Sequence, residues 1–276
     1  MNKSNECHNN YRSPRFMHES VIQGMCSVVI FVPEKADSIK ACFHRIQLHT
    51  PQFHEVIFMA EKPSRETLKW LNQQNKENKR YRIIAGKEKT GRSCRFNQGI
   101  ESSQGEFIVL LENTTMVSKD WLAGMMDCLK HSPDAGVIGP MTNSGSGRQN
   151  YADSTYHSIV DLDQHAISHK ERFYHRRIPN RDIGSFCMLF KRDLVQVIGL
   201  LDENLGNQFE NEDFCIRAVM AGYRNYIAGD VFIHHVETKT SNKDRVLLNQ
   251  KWTTSTSTPA GKSLAVMKAV EVAEEL

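Results

Sequence analysis

The sequence predicts an α/β protein with a doubly wound, mostly parallel sheet flanked by helices. Short apolar runs alternate with segments of helical period throughout the first half of the chain, as in proteins built from repeated strand–helix units. The apolar runs are continuous, which is typical of strands buried on both faces. The 276 residues are 39% hydrophobic, which is enough for a sizeable core.

The first half contains four predicted strands, of which the first three are each followed by a helix. The strands are Met25–Val32, Glu55–Met59, Arg82–Ile84 and Glu106–Leu111, and the helices are Ala36–Leu48, Ser64–Gln74 and Arg92–Ser102. Ser64 is the predicted N-cap of its helix, because a hydroxyl can accept an N–H of the first turn. Ligands of such sheets bind outside the carboxyl ends of the strands, so the chemistry is expected just after these strands.

The second half is less regular. Its predicted strands are Gly136–Pro140, Ser185–Phe190, Tyr226–Ala228 and Val231–His235, and its predicted helices are Lys119–His131, Arg192–Ile198 and Asn211–Ala221. Between them, Met141–Arg181 is predicted to be a long polar connection of the kind that is functional or disordered.

The chain is predicted to consist of a flexible N-terminal arm (1–24), one domain (25–240) and a tail (241–276) with a short helix at Ser263–Glu275. The net charge of +3 does not favour a nucleic acid polymer as partner. No apolar run approaches the roughly 20 residues of a transmembrane helix, and the N-terminus has no signal-peptide pattern. We therefore expect a cytoplasmic protein without a transmembrane segment, whose basic loops would allow peripheral membrane association.

The seven cysteines include no C-x-x-C pair. Several lie in apolar stretches, where a thiol behaves as a small hydrophobic group. Free buried thiols in a reducing compartment are expected. A zinc site or a disulfide framework is the alternative.

Six stretches of the second half resemble, in order, motifs of one bacterial subgroup of the family-2 inverting glycosyltransferases. They are Gly139–Tyr151, Gly184–Arg192, Ile198–Glu203, Gly206–Arg217, Ala221–Arg224 and Asp230–His235. Gly206–Arg217, for example, is similar to G-N-F-E-D-D-D-F-C-x-R. The resemblance covers 27–240 and implies a GT-A fold, with a nucleotide-binding N-terminal half and an acceptor-binding C-terminal half.

The resemblance implies transfer of a sugar, with inversion, from a UDP- or dTDP-linked donor to a glycan, lipid or protein acceptor. A role in cell-envelope polysaccharide biosynthesis would follow. The alternative is a catalytically impaired relative that acts as a nucleotide-sugar or glycan-binding module, or as a partner subunit of an active transferase.

Candidate site residues follow from the same resemblance. The candidates for donor binding are Glu61, Gly91, Arg95, Asn97, Gly99, Glu112, Asn113 and Thr114. Those for acceptor binding are Gly184, Ser185 and Phe186, and those for catalysis are Glu210, Glu212 and Asp213. Glu112 and His235 would hold a divalent cation, Mg²⁺ or Mn²⁺.

Three chemical positions depart from the family pattern. Ala60 stands where an Asp usually holds the nucleoside, Thr114 where an Asp binds the metal, and Asn211 where the general base is expected. An amide cannot accept a proton at neutral pH. Either Glu212 or Asp213 is the base or the base is missing. Three such losses favour the impaired alternative more than one loss would, whereas the recognisable motifs and the presence of Glu210, Asp213 and both histidines favour the transferase.

Several candidates also have structural interpretations. Asp213 could form an i,i+4 salt bridge with Arg217, and Glu210 could simply favour the positive end of a helix. His234 and His235 could reach a diphosphate or its metal, or form a buried hydrogen-bonded pair.

Two basic segments have two interpretations each. Lys87, Lys89, Arg92 and Arg95 could neutralise a diphosphate without metal, or form a solvated basic loop. The basic and aromatic segment His169–Arg177 could receive an anionic or carbohydrate acceptor, or form a mobile surface loop.

Overall fold

The computed structural model describes residues 12–18, 20–34, 38–144, 147–151, 156, 158–205, 209–236, 248, 251 and 252. The predicted tail helix Ser263–Glu275 and the first eleven residues of the predicted arm lie outside the described residues.

Nine strands and seven α-helices occur in the part of the chain that the structure describes. The strands are β1 Ile22–Val32, β2 His54–Glu61, β3 Tyr81–Gly86, β4 Gly105–Glu112, β5 Thr115–Met116, β6 Ala135–Thr142, β7 Arg177–Asn180, β8 Cys187–Lys191 and β9 Arg224–His235. The helices are α1 Ser38–His49, α2 Arg65–Glu77, α3 Arg92–Ser102, α4 Trp121–Lys130, α5 Ile159–Arg172, α6 Arg192–Ile198 and α7 Glu210–Met220.

The strands form one sheet in the order β3-β2-β1-β4-β8-β6-β9-β5, with β7 paired to β9. The β3-β2-β1-β4 part is parallel. β8 runs antiparallel between β4 and β6, and β6 and β9 are parallel. The carboxyl ends of β4, β6 and β9 therefore share one edge with the amino end of β8, here called the carboxyl edge. The opposite edge, where β2, β3 and β4 begin, is called the amino edge.

Two hydrophobic clusters cover the two faces of the sheet. Alternate side chains of β1 point to opposite faces: Val28 and Ile30 join the cluster with α1, α2 and α4, whereas Val29 joins the cluster with α3, α5, α6 and α7. Trp121 is fully buried, and its Nε1 donates to Thr50 Oγ1 at 3.0 Å. Helices on both faces confirm the predicted doubly wound α/β class.

The first strand begins earlier than predicted, since β1 starts at Ile22 rather than Met25. Two nitrogens of the Arg12 guanidinium donate to the Glu101 carboxylate at 2.9 Å. The Arg192 guanidinium lies 3.7 Å from the centre of the Phe16 ring. Residues 12–18 thus pack against α3 and α6, and the division of the chain into arm, domain and tail stays a prediction.

The predicted long connection Met141–Arg181 contains α5 and β7. Helix α5 lacks a clear hydrophobicity pattern because two of the side chains that pack it against β9 are histidines. The rings of His165 and His169 lie 4.6 and 5.5 Å from that of Phe232 in β9. The first residues of the basic and aromatic segment His169–Arg177 therefore form the end of a packed helix.

Two further sequence features have a structural outcome. The strands predicted at Tyr226–Ala228 and Val231–His235 are one strand, β9, whose pairing with β6 shifts register between Pro140 and Met141. Across the described residues, no helix combines the length and apolarity needed to span a bilayer.

Candidate active site

Three predicted site residues from distant parts of the chain meet at the carboxyl edge. Glu112 ends β4, Ser185 precedes β8 and His235 ends β9. Ser185 Oγ donates to Glu112 Oε1 at 2.8 Å, and His235 Nε2 lies 3.4 Å from Glu112 Oε2. The insertion of antiparallel β8 beside β4 brings Ser185 next to Glu112.

Arg92, the first residue of α3, lies between Glu112 and Glu210. Its Nη1 donates to Glu112 Oε1, and its Nε donates to Glu210 Oε1 at 2.8 Å. Arg92 Nη2 is 2.6 Å from the same Glu210 oxygen. We call Arg92, Glu112, Glu210, Ser185 and His235 the charge cluster. Its arginine and both glutamates are buried.

The two carboxylates of the charge cluster differ in proton affinity. Burial would raise the pKa of Glu112, but the nearby His235 and the charge of Arg92 outweigh it and lower the pKa to about 2. Burial raises the pKa of Glu210 despite the nearby charge of Arg92. Glu112 is therefore the firmly ionised member, and Glu210 holds a proton more readily than an ordinary glutamate.

His235 is held in place by its neighbours. Its backbone N–H donates to Asn143 Oδ1 at 2.8 Å, and its ring stacks on Phe186 with centroids 5.0 Å apart. The neighbouring His234 contacts the Tyr156 hydroxyl through Nδ1, and burial lowers the pKa of His234. Asn143 and Tyr156 were not singled out from the sequence, although Asn143 lies in the resembling stretch Gly139–Tyr151.

The three predicted catalytic carboxylates separate in space. Asp213 is fully buried and forms the i,i+4 ion pair with Arg217 at 2.9 Å; its Oδ1 is 2.6 Å from Lys251 Nζ. Glu212 is two positions from Glu210, about 200° around a helix of 3.6 residues per turn. It therefore lies on the side of α7 turned away from Arg92, and Glu210 is the one candidate in the charge cluster.

Asn211, at the position expected for the general base, serves the backbone. Its Nδ2 donates to the Ile183 carbonyl at 2.6 Å. This bond ties α7 to the segment that precedes Gly184. The Gly184 N–H donates to Gln149 Oε1 at 2.7 Å. Of the predicted acceptor residues, Ser185 thus belongs to the charge cluster, and Gly184 and Phe186 flank Ser185 in the chain.

Two predicted donor residues shape the loop before α3. Glu61 Oε1 accepts the backbone N–H groups of Thr90 and Gly91, each at 2.8 Å. Gly91 has a φ of 91°, in the region that favours glycine. Through these contacts, Glu61 and Gly91 fix the point at which Arg92 enters α3.

The predicted basic cluster divides in the fold. Arg95 is buried, with Nη2 donating to the Glu88 carbonyl at 2.9 Å, whereas Lys87 and Lys89 are exposed. Of the four cations, Arg92 is the one in contact with Glu112 and Glu210.

Other predicted donor residues make contacts within the protein. Asn97 Oδ1 accepts the Leu201 N–H at 3.0 Å, and Asn97 Nδ2 donates to the Leu201 carbonyl at 2.9 Å. Asn113 Nδ2 donates to Ser38 Oγ at 2.6 Å. Gly99 lies against β1 and β2, where an added Cβ would be 2.3 Å from Val29 Cγ1. Hydrogen bonding and packing within the protein thus give each of the three residues a structural role, and their donor-binding role stays a prediction.

The residues present do not fit the cation expected from the resemblance. Magnesium requires near-octahedral oxygen coordination, with carboxylates among its ligands. Thr114 offers no carboxylate, and Glu112 Oε1 already accepts from both Arg92 and Ser185. Within the described part of the chain, no three His, Cys, Asp or Glu residues are grouped to hold a metal. The six described cysteines are free thiols, and Cys7 lies outside the described residues.

The family follows from comparison with known sequences. The pattern of the family described as Glycosyl transferase family 2 matches residues 27–199, more than half of the chain. The chain belongs to glycosyl transferase family 2. The bacterial subgroup suggested by the motifs stays a prediction.

This family-2 chain also resembles a longer protein. It is 24% identical over 186 residues to "Uncharacterized protein y4gI" of Sinorhizobium fredii (strain NBRC 101917 / NGR234). The match covers 62% of this chain and 20% of the relative, so the chain spans about a fifth of that protein's length.

Solved structures of glycosyltransferases share the GT-A fold of this family-2 chain. GalNAc-T7 with UDP, GalNAc and Mn²⁺ has a TM-score of 0.61 at 14% identity, over 77% of this chain and 44% of that one. The mannosyltransferase PcManGT from Pyrobaculum calidifontis, with GDP-Man and Mn²⁺, has a TM-score of 0.61 at 13% identity, over 96% and 72%. S. aureus TarS 1-349 has a TM-score of 0.55 at 12% identity, over 77% and 60%. At these identities the likeness shows the fold alone, and it confirms the expected GT-A architecture.

Proposed function

We propose that this chain transfers a sugar, with inversion, from a UDP- or dTDP-linked donor to a hydroxyl of a glycan, lipid or protein acceptor. The observation that carries the proposal is the convergence of Glu112, Ser185, His235 and Glu210 at the carboxyl edge of a family-2 fold. Ligands of open α/β sheets bind at that edge. A role in cell-envelope polysaccharide synthesis and a cytoplasmic location remain part of the prediction.

The donor would lie across the ends of β1, β2 and β4. Two structural neighbours hold UDP or GDP-Man together with Mn²⁺, which supports a nucleotide sugar as the ligand. Because the residues of this chain do not fit a metal, we assign no step of the transfer to one. The loop fixed by Glu61 and Gly91 would border the nucleotide.

Glu210 is the proposed general base. Inverting transfer needs a group that removes the proton of the acceptor hydroxyl as its oxygen attacks the anomeric carbon. Arg92 holds Glu210 Oε1, and Glu210 Oε2 accepts no hydrogen bond from another described residue. The raised pKa of Glu210, caused by burial, is what a base working near neutral pH requires.

Thermal unfolding with UDP-, dTDP-, GDP- and CDP-sugars tests the donor site. A ligand at about 100 times its Kd stabilises the folded state by about 2.7 kcal/mol. We expect stabilisation by a UDP- or dTDP-sugar and release of the nucleoside diphosphate when an acceptor is supplied. Stabilisation by none of the four classes, in a folded sample, would overturn the proposal.

A non-catalytic nucleotide-sugar-binding module is the second candidate. The observation in its favour is Asn211, whose amide replaces the expected base and bonds the Ile183 carbonyl. This candidate predicts donor binding without nucleoside diphosphate release, whichever acceptor class is supplied.

A further inference from the structure

We propose that Arg92 takes the place of the divalent cation in this chain, so that the donor's diphosphate binds beside the charge cluster without Mg²⁺ or Mn²⁺. The inference rests on the proposed donor site and concerns how that site balances charge. It starts from the ion pairs that Arg92 forms with Glu112 and Glu210 in the folded chain.

Arg92 already contacts the carboxylates that a cation would need. Arg92 contacts Glu112 and Glu210 with three guanidinium nitrogens, and the Arg92 side chain is 9% exposed. A cation at Glu112 Oε1 would have to displace the guanidinium, and one between Glu112 Oε2 and His235 would lie close to the guanidinium across the carboxylate. Either arrangement places like charges together in a buried site, where their repulsion is strong.

Arg92 also offsets the charge of the two glutamates. With both glutamates ionised, Arg92, Glu112 and Glu210 together carry a single negative charge. Without Arg92, a diphosphate would face two unpaired carboxylates.

The guanidinium of Arg92 is also chemically suited to bind a diphosphate. Arginine presents five N–H donors in a planar arrangement that suits carboxylates and phosphates, and it stays charged at any physiological pH. The paired carboxylates raise the pKa of Arg92 against the opposing effect of burial. The positive charge is thus permanent and belongs to the chain itself.

Arg92 also lies where a diphosphate would bind. Arg92 starts α3, and the contacts of Glu61 with Thr90 and Gly91 fix the backbone just before it. Main-chain N–H groups at a helix start favour negative charge. The guanidinium is therefore held next to the place where the ends of β2 and β4 would receive a diphosphate.

The test is titration calorimetry of the whole chain with UDP and with dTDP, in EDTA and in MnCl₂. We expect one nucleotide to bind with the same Kd in both solutions. We also expect no heat when MnCl₂ alone is titrated into the wild-type protein. Arg92→Met should weaken nucleotide binding in EDTA by roughly 10- to 100-fold, the size of one lost hydrogen bond to a charged group.

The Arg92→Met variant supplies a second readout. With the guanidinium gone, Glu112 and Glu210 are free to bind a cation, so MnCl₂ should restore much of the lost nucleotide affinity. Because two unpaired buried carboxylates could prevent folding, Arg92→Met/Glu210→Gln is the companion variant, with the same loss expected in EDTA. Arg82→Met, which removes a guanidinium at the amino edge, is the matched control and should keep wild-type affinity.

The outcomes separate this inference from the proposed function. Wild-type nucleotide binding that requires MnCl₂, or binding of Mn²⁺ alone that Glu112→Gln abolishes, overturns the role of Arg92 and leaves the donor site intact. Equal affinity of wild type and Arg92→Met in EDTA also overturns it. Failure of both nucleotides to bind in either solution overturns the donor site and this inference together.

Discussion

The amino and carboxyl edges of the sheet each pair an arginine with buried glutamate, but only one of these ion pairs is complete. At the amino edge, Glu55 Oε1 accepts from Ser27 Oγ at 2.7 Å and from the Gln104 N–H at 2.8 Å. Glu55 Oε2 accepts two bonds from the Arg82 guanidinium at 2.9 and 2.7 Å. Both oxygens are satisfied, and nothing is left for a ligand.

At the carboxyl edge, two carboxylates share the guanidinium of Arg92. Glu210 Oε2 accepts no hydrogen bond from other described residues. Buried polar groups are nearly always paired in proteins, so an incomplete one needs an explanation. The closed ion pair thus holds strands together, whereas the open one leaves a carboxylate oxygen available for the proposed acceptor.

The largest expected effect is on turnover, at the carboxyl edge. Glu210→Gln should lower kcat by roughly 10²–10⁴-fold, the usual contribution of a general base, because the amide cannot take the acceptor proton. Nucleoside diphosphate release measures kcat, and calorimetry should show that the donor still binds. Glu212→Gln is the control; if it loses turnover and Glu210→Gln does not, the assignment of the base is wrong.

The next effect is on stability, at the amino edge. Arg82→Met should lower the free energy of unfolding by about 3 kcal/mol, since it leaves Glu55 buried without its counter-ion. Urea unfolding followed by circular dichroism measures the loss. Lys40→Ala removes the exposed pair with Glu66 and should cost at most about 1 kcal/mol. Equal losses in the two variants would contradict the closed-pair interpretation.

A packing change behind the carboxyl edge separates structure from ligand binding. Gly99→Ala should destabilise the protein by about 1–3 kcal/mol through overpacking, because the new Cβ would meet Val29. Donor affinity should not change. Gly124→Ala is the matched control, since its Cβ would lie 2.5 Å from Val231. A selective loss of donor affinity in Gly99→Ala would show that Gly99 belongs to the donor site.

The smallest effect concerns a cap at the carboxyl edge, outside the charge cluster. Ser64 Oγ accepts the Thr67 N–H at 3.1 Å, so Ser64→Ala should cost about 1 kcal/mol. Thermal unfolding measures the loss, and Ser64→Asp should retain most of the stability. Reduced donor affinity in Ser64→Ala would show that the ligand site reaches further along this edge than the charge cluster.

The sequence predicted most of the fold because its signals are local. Continuous apolar runs located the buried strands, and helical spacing placed α3 and α6 with the bounds that the structure shows. Glu112 and His235, which were predicted to share a cation, lie close together, and Ser185, predicted for the acceptor, lies beside Glu112. The sequence missed α5, because its inward face uses His165 and His169 where a hydrophobicity pattern expects aliphatic residues.

By itself, the sequence determined the α/β class, the order of its elements and the edge at which chemistry is expected, since each depends on neighbouring residues. Only the tertiary structure decided which charges meet. Arg92 is 20 residues from Glu112 and 118 from Glu210, and no local pattern relates them. Ion pairing depends on distance and burial. In this chain both depend on where the fold places the end of β4 and the starts of α3 and α7.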